Sequence, residues 1–444
     1  MILYNILAFF ILVFSMFLFS RAAGSIAINK INTTSFLIYR DIIPVVFIGS
    51  LLIANNLVDN HYVVQVLSDD IKIRGLLFAL YSMIALPLGM IMVNKYFKLN
   101  ITRKYDLYIK SDIVDSFTYP TIKVISLFLT VISFITLGYI LFYSPSIPII
   151  SAIKGDILTA SIQRRENKVN FGGIIYIKNI LGYYFMPIMA YYMYILKYRY
   201  NTFYFKFLFS VNLILVSILL LYDTQKAPII YFIIGFLIVH TLIKGKIKII
   251  YLIFFSILAF VGIVLLYIVN AGAELENLLK TDSVIMYRLF IGQIAGYFLS
   301  LEWFPNLISE NTALSGIPTF ILQIFGVENI ESARLLMMYF NPEGVATGNA
   351  GLMSSYFMGE AWANYGYAGL ILSPFIVGMV IQLVHVWLLT NKKDAFNIAL
   401  YAVVTTKWVI TGGFVGFLYL KVLIIPALLY LFYKVLVSFI IKLR

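Results

Sequence analysis

The chain has 444 residues, of which 62% are hydrophobic and 12% are charged, and its mean hydropathy is +0.94. A soluble domain carries roughly 25% charged residues, so this composition excludes a water-solvated globule and indicates a membrane protein built from helices. The chain has no cysteine, which excludes disulfides and thiolate chemistry. Its formal net charge of +13 is first interpreted as a sign of membrane topology, because cytoplasmic loops are enriched in Lys and Arg.

Apolar runs long enough to cross a bilayer recur along the whole chain. We predict an all-α, polytopic integral membrane helix bundle with about 11 transmembrane helices (10–12), in a single membrane domain covering residues 1–444. The predicted spans are residues 2–20, 41–57, 73–93, 121–143, 173–196, 207–222, 227–243, 248–270, 365–389, 395–411 and 414–441. Gly412 and Gly413 alone separate the last two, so that pair is the least certain part of the count.

Basic residues concentrate in alternate loops between these spans, as in residues 95–110 and 244–248. Cytoplasmic loops are enriched in Lys and Arg, so the alternation predicts an N-terminus outside and a C-terminus in the cytoplasm. The first span has no basic residue before it and Arg21 after it, which is the reverse of a secretory signal peptide. We therefore expect it to be retained as a span.

Two long segments on the predicted outer side differ from plain spans. The first polar loop, residues 144–172, carries a basic pair, Arg164 and Arg165, on the side where the topology rule disfavours it. The long polar segment, residues 271–364, is divided into short helices by glycine and proline. Loops this long without a disordered composition are usually functional, so we predict that the two segments form one active site for a negatively charged, lipid-linked substrate.

Cationic side chains in and beside these segments are the candidate phosphate ligands, because guanidinium and ammonium groups bind phosphate oxygens. The candidates for substrate binding are Arg164, Arg165, Lys178, Lys226, Arg288 and Arg334. Lys178 and Lys226 lie near the outer ends of predicted spans, where charged groups are costly and usually mark a function. The alternative for each residue is a structural ion pair with a nearby glutamate or contact with a lipid headgroup.

Two glutamates, Glu360 and Glu302, are the candidate catalytic acids, since a carboxylate can act as general base on a sugar hydroxyl; Arg288 is the third catalytic candidate. For Glu360 the alternative is a helix-end carboxylate bonded to a neighbouring amide. The three histidines lie far apart without metal-ligand spacing, and there is neither a P-loop nor a dinucleotide fingerprint. We therefore expect no metal and no cofactor, and an activated substrate as the source of free energy.

The chain resembles the Wzy-type polymerases of O-antigen, or of oligosaccharide repeat units, of bacterial inner membranes. The likeness lies in the layout of spans and outer loops and in YDTQKAPIIYFIIGFLI (222–238), YRLFIGQIAGYFLSLEWFP (287–305) and GEAWANYGYAG (359–369). Some members of the family place a glycine at a fixed spacing after an arginine in both loops. Arg164 and Arg334 reach their glycines sooner, so the arginine roles rest on residue type and position.

The resemblance implies a GT-C-like glycosyltransferase with a periplasmic active site. Such an enzyme transfers a glycan from undecaprenyl pyrophosphate onto the non-reducing end of another lipid-linked repeat unit. The implied partners are the undecaprenyl-pyrophosphate-linked oligosaccharide, membrane lipids, a chain-length regulator and the flippase of the same pathway, without nucleic acid.

Two alternatives to a polymerase stay open. An O-antigen ligase would share the layout and the donor but use the lipid A core as acceptor. A lipid-linked oligosaccharide flippase would be expected to show internal repeats and polar groups near the middle of the membrane. The sequence has no internal repeat, and its polar groups concentrate outside.

Overall fold

The computed structural model describes residues 1–253, 257, 286–310, 312–317, 319–327, 330–347 and 350–442, with the backbone alone at 157, 161, 226, 319, 320 and 442. Every regular element in this part of the chain is helical. The first group of helices is α1 Ile2–Ala23, α2 Thr33–Ala54, α3 Asp69–Tyr96, α4 Ile101–Lys110, α5 Tyr119–Tyr143, α6 Pro148–Ile153, α7 Ile157–Val169, α8 175–200, α9 Phe203–Tyr222 and α10 Lys226–Lys244. The second group is α11 Ala295–Trp303, α12 Thr319–Ile324, α13 Ser332–Phe340, α14 Pro342–Ala346, α15 Phe357–Thr390, α16 Ala395–Lys407, α17 Val415–Leu418 and α18 Lys421–Lys442.

Several of these helices contain or adjoin π-helical or 3₁₀ turns. The π-helical stretches are Ile38–Gly49 within α2, Lys178–Phe185 within α8, and Tyr287–Ile291 before α11. Short 3₁₀ turns lie at Val64–Val66 and Ala313–Gly316.

Eight helices in the described part of the chain are long and apolar enough to cross a membrane. They are α1, α2, α3, α5, α9, residues Ala227–Lys244 of α10, α15, and residues Lys421–Ile441 of α18. These helices confirm the prediction of a helical, multi-pass membrane protein, while the count of eleven is not confirmed.

Three predicted spans account for the difference in number. The predicted span 248–270 falls largely outside the described residues, as does the start of the long polar segment. The predicted span 173–196 corresponds to α8, which carries Lys178 and many tyrosines and is less apolar than the eight. The predicted span 395–411 corresponds to α16, which ends at Lys407 after 13 residues, or about 20 Å, whereas the hydrocarbon core is about 30 Å thick.

The chain forms two compact units. Unit 1 comprises Met1–Asp106, Ile250–Val386 and Val409–Val422, and unit 2 comprises Leu107–Ile249, Trp387–Trp408 and Leu423–Arg444. The single membrane domain expected from the sequence stays a prediction.

Close helix contacts in unit 1 depend on small residues. Gly89 of α3 lies against the backbone of Phe375 in α15, and Gly378 of α15 lies against the backbone of Leu86 in α3, with no room for a Cβ atom at either glycine. Small residues let helix backbones approach in a membrane, where the lipid is as apolar as the side chains. This contact fixes α15 alongside α3.

A sharp turn at Gly366 divides α15 into two arms. Gly366 has φ 56° and ψ −138°, which is not helical, and Gly369 of the second arm packs against the carbonyl of Ala361 in the first. The chain therefore folds back at this point, and the two arms, 357–365 and 367–390, are here called the Gly366 hairpin. At its start, the Tyr356 hydroxyl is 2.9 Å from the Ser82 hydroxyl, which is about 20 Å along α3 from Asp69. The end of the long polar segment thus lies beside the middle of a membrane-spanning helix.

We expect a substitution of Gly366 by alanine to destabilise the protein through its backbone alone. No atom would crowd a Cβ at Gly366, but its positive φ is costly for an L-residue, by about 1–3 kcal/mol. Gly351→Ala is the matched control, because Gly351 also has open space and its φ is not positive. A lower midpoint of thermal unfolding in detergent for Gly366→Ala alone would support the hairpin, and equal midpoints would contradict it.

The core of unit 2 is formed by α8 and α16. Residues 185–193 and 393–406 are all buried. The Tyr191 hydroxyl of α8 donates to the carbonyl of Phe232 in α10 at 2.7 Å, which satisfies a polar group inside the bundle. The ring of Phe396 in α16 stacks on Tyr433 of α18 with centroids 3.7 Å apart. These contacts give the first polar loop a rigid base.

Candidate functional site

The first polar loop folds back onto itself as two short helices, α6 and α7. Asp156 caps α7 by accepting from the backbone N–H of Thr159 at 3.0 Å. Asn167, which is fully buried, donates to the carbonyl of Ser146 at 3.0 Å and accepts from the Ser146 N–H at 3.2 Å. An amide bonded in both directions ties the end of α7 to the start of the loop. The loop is therefore held over the end of α8.

Lys178 lies beneath this loop and is 5% exposed. Its Nζ donates to the carbonyl of Asn167 at 3.2 Å and lies 4.6 Å from the ring centroid of Phe171 and 5.7 Å from that of Tyr222. Aromatic faces stabilise a cation, and more strongly where water is excluded. Lys178 is therefore a buried ammonium group among aromatic rings.

Asp223 is a buried carboxylate in the same place, and it follows α9 directly. It is 6% exposed, and its Oδ2 accepts from Nε2 of Gln225 at 2.6 Å. Among the described residues, Oδ1 forms no hydrogen bond of good geometry. Burial raises the pKa of Asp223 above its ordinary value, while the hydrogen bonds of Gln225 and Asn167 and the charges of Lys178 and Arg164 oppose the rise. Two of the predicted phosphate ligands, Arg164 and Lys178, therefore influence the pKa of the same carboxyl group.

Asp223 is not among the site residues predicted from the sequence. The sequence did contain a feature that could have indicated it, because Asp223 is an acidic residue directly after an apolar run and three residues before Lys226.

Two further predicted phosphate ligands belong to the same unit. Arg165 is half-buried on α7, next to the exposed Arg164. Lys226 begins α10, and its side chain lies outside the described residues.

In unit 1, Glu302 serves as a helix cap. Its Oε2 accepts from the backbone N–H of Ser68 at 3.0 Å and from the Ser68 hydroxyl at 2.8 Å. Ser68 is the residue that precedes α3, whose first N–H groups have no partner within the helix. A carboxylate at this positive end of the helix dipole is favourable. The geometry therefore gives Glu302 a structural role.

Glu360 lies on the first arm of the Gly366 hairpin and is 6% exposed. Its Oε2 accepts from the backbone N–H of Val415 at 2.8 Å, and its Oε1 accepts from the Ser315 hydroxyl at 3.1 Å. Gly413 packs so closely that a Cβ there would lie 2.6 Å from Oε2. Residues 408–414 form no helix, and such backbone is tolerated at membrane depth only where protein satisfies it. Glu360 supplies one of the acceptors that hold this irregular backbone.

The two arginines predicted in the long polar segment lie on separate elements of unit 1. Arg288 is exposed on the π-helical turn Tyr287–Ile291. Arg334, on α13, donates through Nη1 to the carbonyls of Ala350 and Gly351, both at 3.3 Å. Arg334 therefore organises the backbone that leads to the Gly366 hairpin.

Within the described ranges, no group of three or more His, Cys, Asp or Glu side chains could hold a metal ion. Comparisons with protein-family models, with curated proteins and with solved structures give no match to this chain.

Proposed function

We propose that the protein is a membrane glycosyltransferase of the polymerase type. It would transfer a glycan from undecaprenyl pyrophosphate onto the non-reducing end of another lipid-linked repeat unit, at the periplasmic face of a bacterial inner membrane. The observation that carries the proposal is the cluster in unit 2, where the buried Lys178 is hydrogen-bonded to the carbonyl of Asn167 in the first polar loop and lies 5.7 Å from the ring centroid of Tyr222, next to the buried Asp223.

The chemistry of a pyrophosphate matches this cluster. A pyrophosphate offers several charged oxygens, which guanidinium and ammonium groups bind through charge-assisted hydrogen bonds. The rings of Phe171 and Tyr222 beside Lys178 exclude water and so strengthen such an interaction. Arg164 is exposed on α7, where it can reach a substrate that approaches from the membrane surface. We assign Arg164 and Lys178 to the donor pyrophosphate, with Arg165 and Lys226 of the same unit as further phosphate ligands; the roles of Arg288 and Arg334 in unit 1 stay predictions.

The transfer step needs a proton acceptor. The bond between the anomeric carbon of the donor glycan and the pyrophosphate oxygen breaks, and the pyrophosphate leaves with the bonding electron pair. The acceptor hydroxyl forms the new bond to that carbon and gives its proton to a base. We assign the base to Asp223, because its Oδ1 forms no hydrogen bond of good geometry among the described residues, whereas both oxygens of Glu360 accept such hydrogen bonds.

A lipopolysaccharide gel of a strain that lacks the gene tests the proposal. Complementation with the wild-type gene is expected to restore a ladder of long chains, and complementation with Arg164→Gln is expected to leave core plus one repeat unit. Arg164 is exposed, so this variant should insert and fold normally. Lys168→Gln is the matched control, because Lys168 is an exposed cation on the same helix, and it should restore the ladder.

The other outcomes separate the alternatives. A deletion strain with no repeat unit on its core would indicate a ligase, or a block upstream such as the flippase. A ladder that is unchanged by the deletion would contradict the proposal for this glycan. A full ladder with Arg164→Gln would remove Arg164 from the site.

A further inference from the structure

Unit 1 contains a cavity of about 610 Å³ that is separate from the residues assigned above. It lies where α1 and α3 end and α4 begins, and three cations line it: Arg21, Lys95 and Lys98. Its wall also contains polar side chains, among them Asn100 and Thr102, and apolar ones such as Ile91. Three positive charges around one open cavity form a site suited to an anion.

The second feature of the cavity is that its cations, Arg21, Lys95 and Lys98, are not engaged in ion pairs within the described part of the chain. The nearby Asp106 is engaged with Lys30 at 3.5 Å. The guanidinium of Arg21 lies 5.3 Å from the ring centroid of Phe17. The positive charge of the cavity is therefore not neutralised by the protein there.

The position of the cavity indicates the source of the anion. Next to Lys95 and Lys98, α3 exposes Met92 to 53% and Tyr96 to 81%. In a multi-pass membrane protein such exposed apolar side chains face lipid, and tyrosine is enriched at the level of the headgroups. A cavity at the boundary between this apolar surface and the charged end of the bundle is at headgroup depth. A lipid headgroup can thus enter it sideways.

A simpler role for the cations is to neutralise the negative ends of α1 and α3. Lys98 is the left-handed residue that ends α3: its N–H donates to the carbonyl of Lys95, and the Leu99 N–H donates to that of Asn94. This role accounts for a cation near each helix end. It gives no reason for three cations to surround one cavity bordered by lipid-facing side chains.

We propose that this cavity binds the phosphate headgroup of an anionic membrane lipid, held by Arg21, Lys95 and Lys98. The site is independent of the glycan chemistry proposed above. Basic pockets between membrane helices recognise such headgroups through the same charges.

The test compares binding by two variants of equal charge. The cavity variant is Arg21→Gln/Lys95→Gln/Lys98→Asn, in which asparagine suits the left-handed conformation at position 98 better than lysine does. The control variant is Lys206→Gln/Lys246→Gln/Lys248→Gln, which removes three exposed lysines of unit 2. Each purified protein, in a neutral detergent, is titrated with phosphatidylglycerol, phosphatidylcholine or inorganic phosphate, and the one-to-one adduct is measured by native mass spectrometry.

Wild-type protein is expected to bind phosphatidylglycerol in preference to phosphatidylcholine. At about 1 kcal/mol for each basic residue, the cavity variant should bind phosphatidylglycerol on the order of 100-fold more weakly, and the control variant should bind it as wild type does. Lys98→Asn alone should weaken binding about five-fold, with an unchanged midpoint of thermal unfolding.

Three results would overturn the proposal. Equal losses in the cavity and control variants would mean that binding follows net charge alone. Unchanged lipid binding by a folded cavity variant would leave the cations with a role at the helix ends only. Inorganic phosphate that displaces the lipid at equal concentration would assign the cavity to a soluble phosphate.

Discussion

Replacing Glu360 with alanine is expected to lower the free energy of unfolding by about 2–4 kcal/mol. The substitution leaves the Val415 N–H without its carboxylate acceptor and removes a hydrogen bond of Ser315, in a place that is closed to water. A buried donor without an acceptor costs about 1–3 kcal/mol, and the lost side-chain volume adds to this. The irregular backbone before α17 should lose its fixed position.

Two further variants, Glu360→Gln and Glu343→Ala, serve as comparisons for Glu360→Ala. Glutamine keeps one carbonyl acceptor but turns an N–H₂ group towards a donor, so its loss of stability should be intermediate. Glu343 is exposed on α14, and Glu343→Ala should unfold at the wild-type temperature. The midpoint of thermal unfolding in detergent measures all three. A Glu360→Ala protein with wild-type stability that makes no long glycan chains would return Glu360 to catalysis.

Eight of the eleven predicted spans correspond to helices that are long and apolar enough to cross a membrane, but the Gly366 hairpin was not predicted. The sequence predicts a ninth span that begins at Tyr365, one residue from the turn, because the apolar run becomes continuous there. The arm before Gly366 has an ordinary helical sequence, and the fold of the hairpin depends on Gly369 packing against Ala361. The local sequence pattern does not indicate that these two residues will be in contact.

The sequence indicated the residue types of the candidate site, but it indicated only part of their spatial arrangement. Arg164 was selected as part of a basic pair on the side of the membrane where the topology rule disfavours it, and Lys178 because cations near the outer ends of spans are costly. Their common neighbour, Asp223, is 45 residues beyond Lys178, and only the packing of α8 and α9 under the first polar loop brings them together. Glu302 and Glu360 were selected as acids in apolar surroundings. Their roles as backbone acceptors follow from partners 234 and 55 residues away, which no sequence spacing reveals.

Lys178→Met and Asp223→Asn are each expected to abolish long glycan chains. Their effects on the free energy of unfolding are expected not to be additive. Methionine removes the described cation with the largest effect on the pKa of Asp223, and asparagine leaves Lys178 buried without that negative charge. The double variant should therefore be less destabilised than the sum of the single variants, by about 1 kcal/mol. A thermal-unfolding double-mutant cycle measures this coupling, and the lipopolysaccharide gel measures the loss of chains.

The pH dependence of stability tests Asp223 separately from activity. The folded-state pKa of Asp223 is raised above its ordinary value of 3.8, so its neutral carboxyl favours the folded state. Stability should fall as the pH rises from about 4 through the raised pKa, and Asp223→Asn should remove this fall. Asp156→Asn is the control of opposite sign: the Thr159 hydrogen bonds lower the pKa of Asp156, so its contribution is lost as the pH falls. Wild-type and Asp223→Asn proteins with parallel pH profiles would exclude a buried titrating carboxyl at position 223.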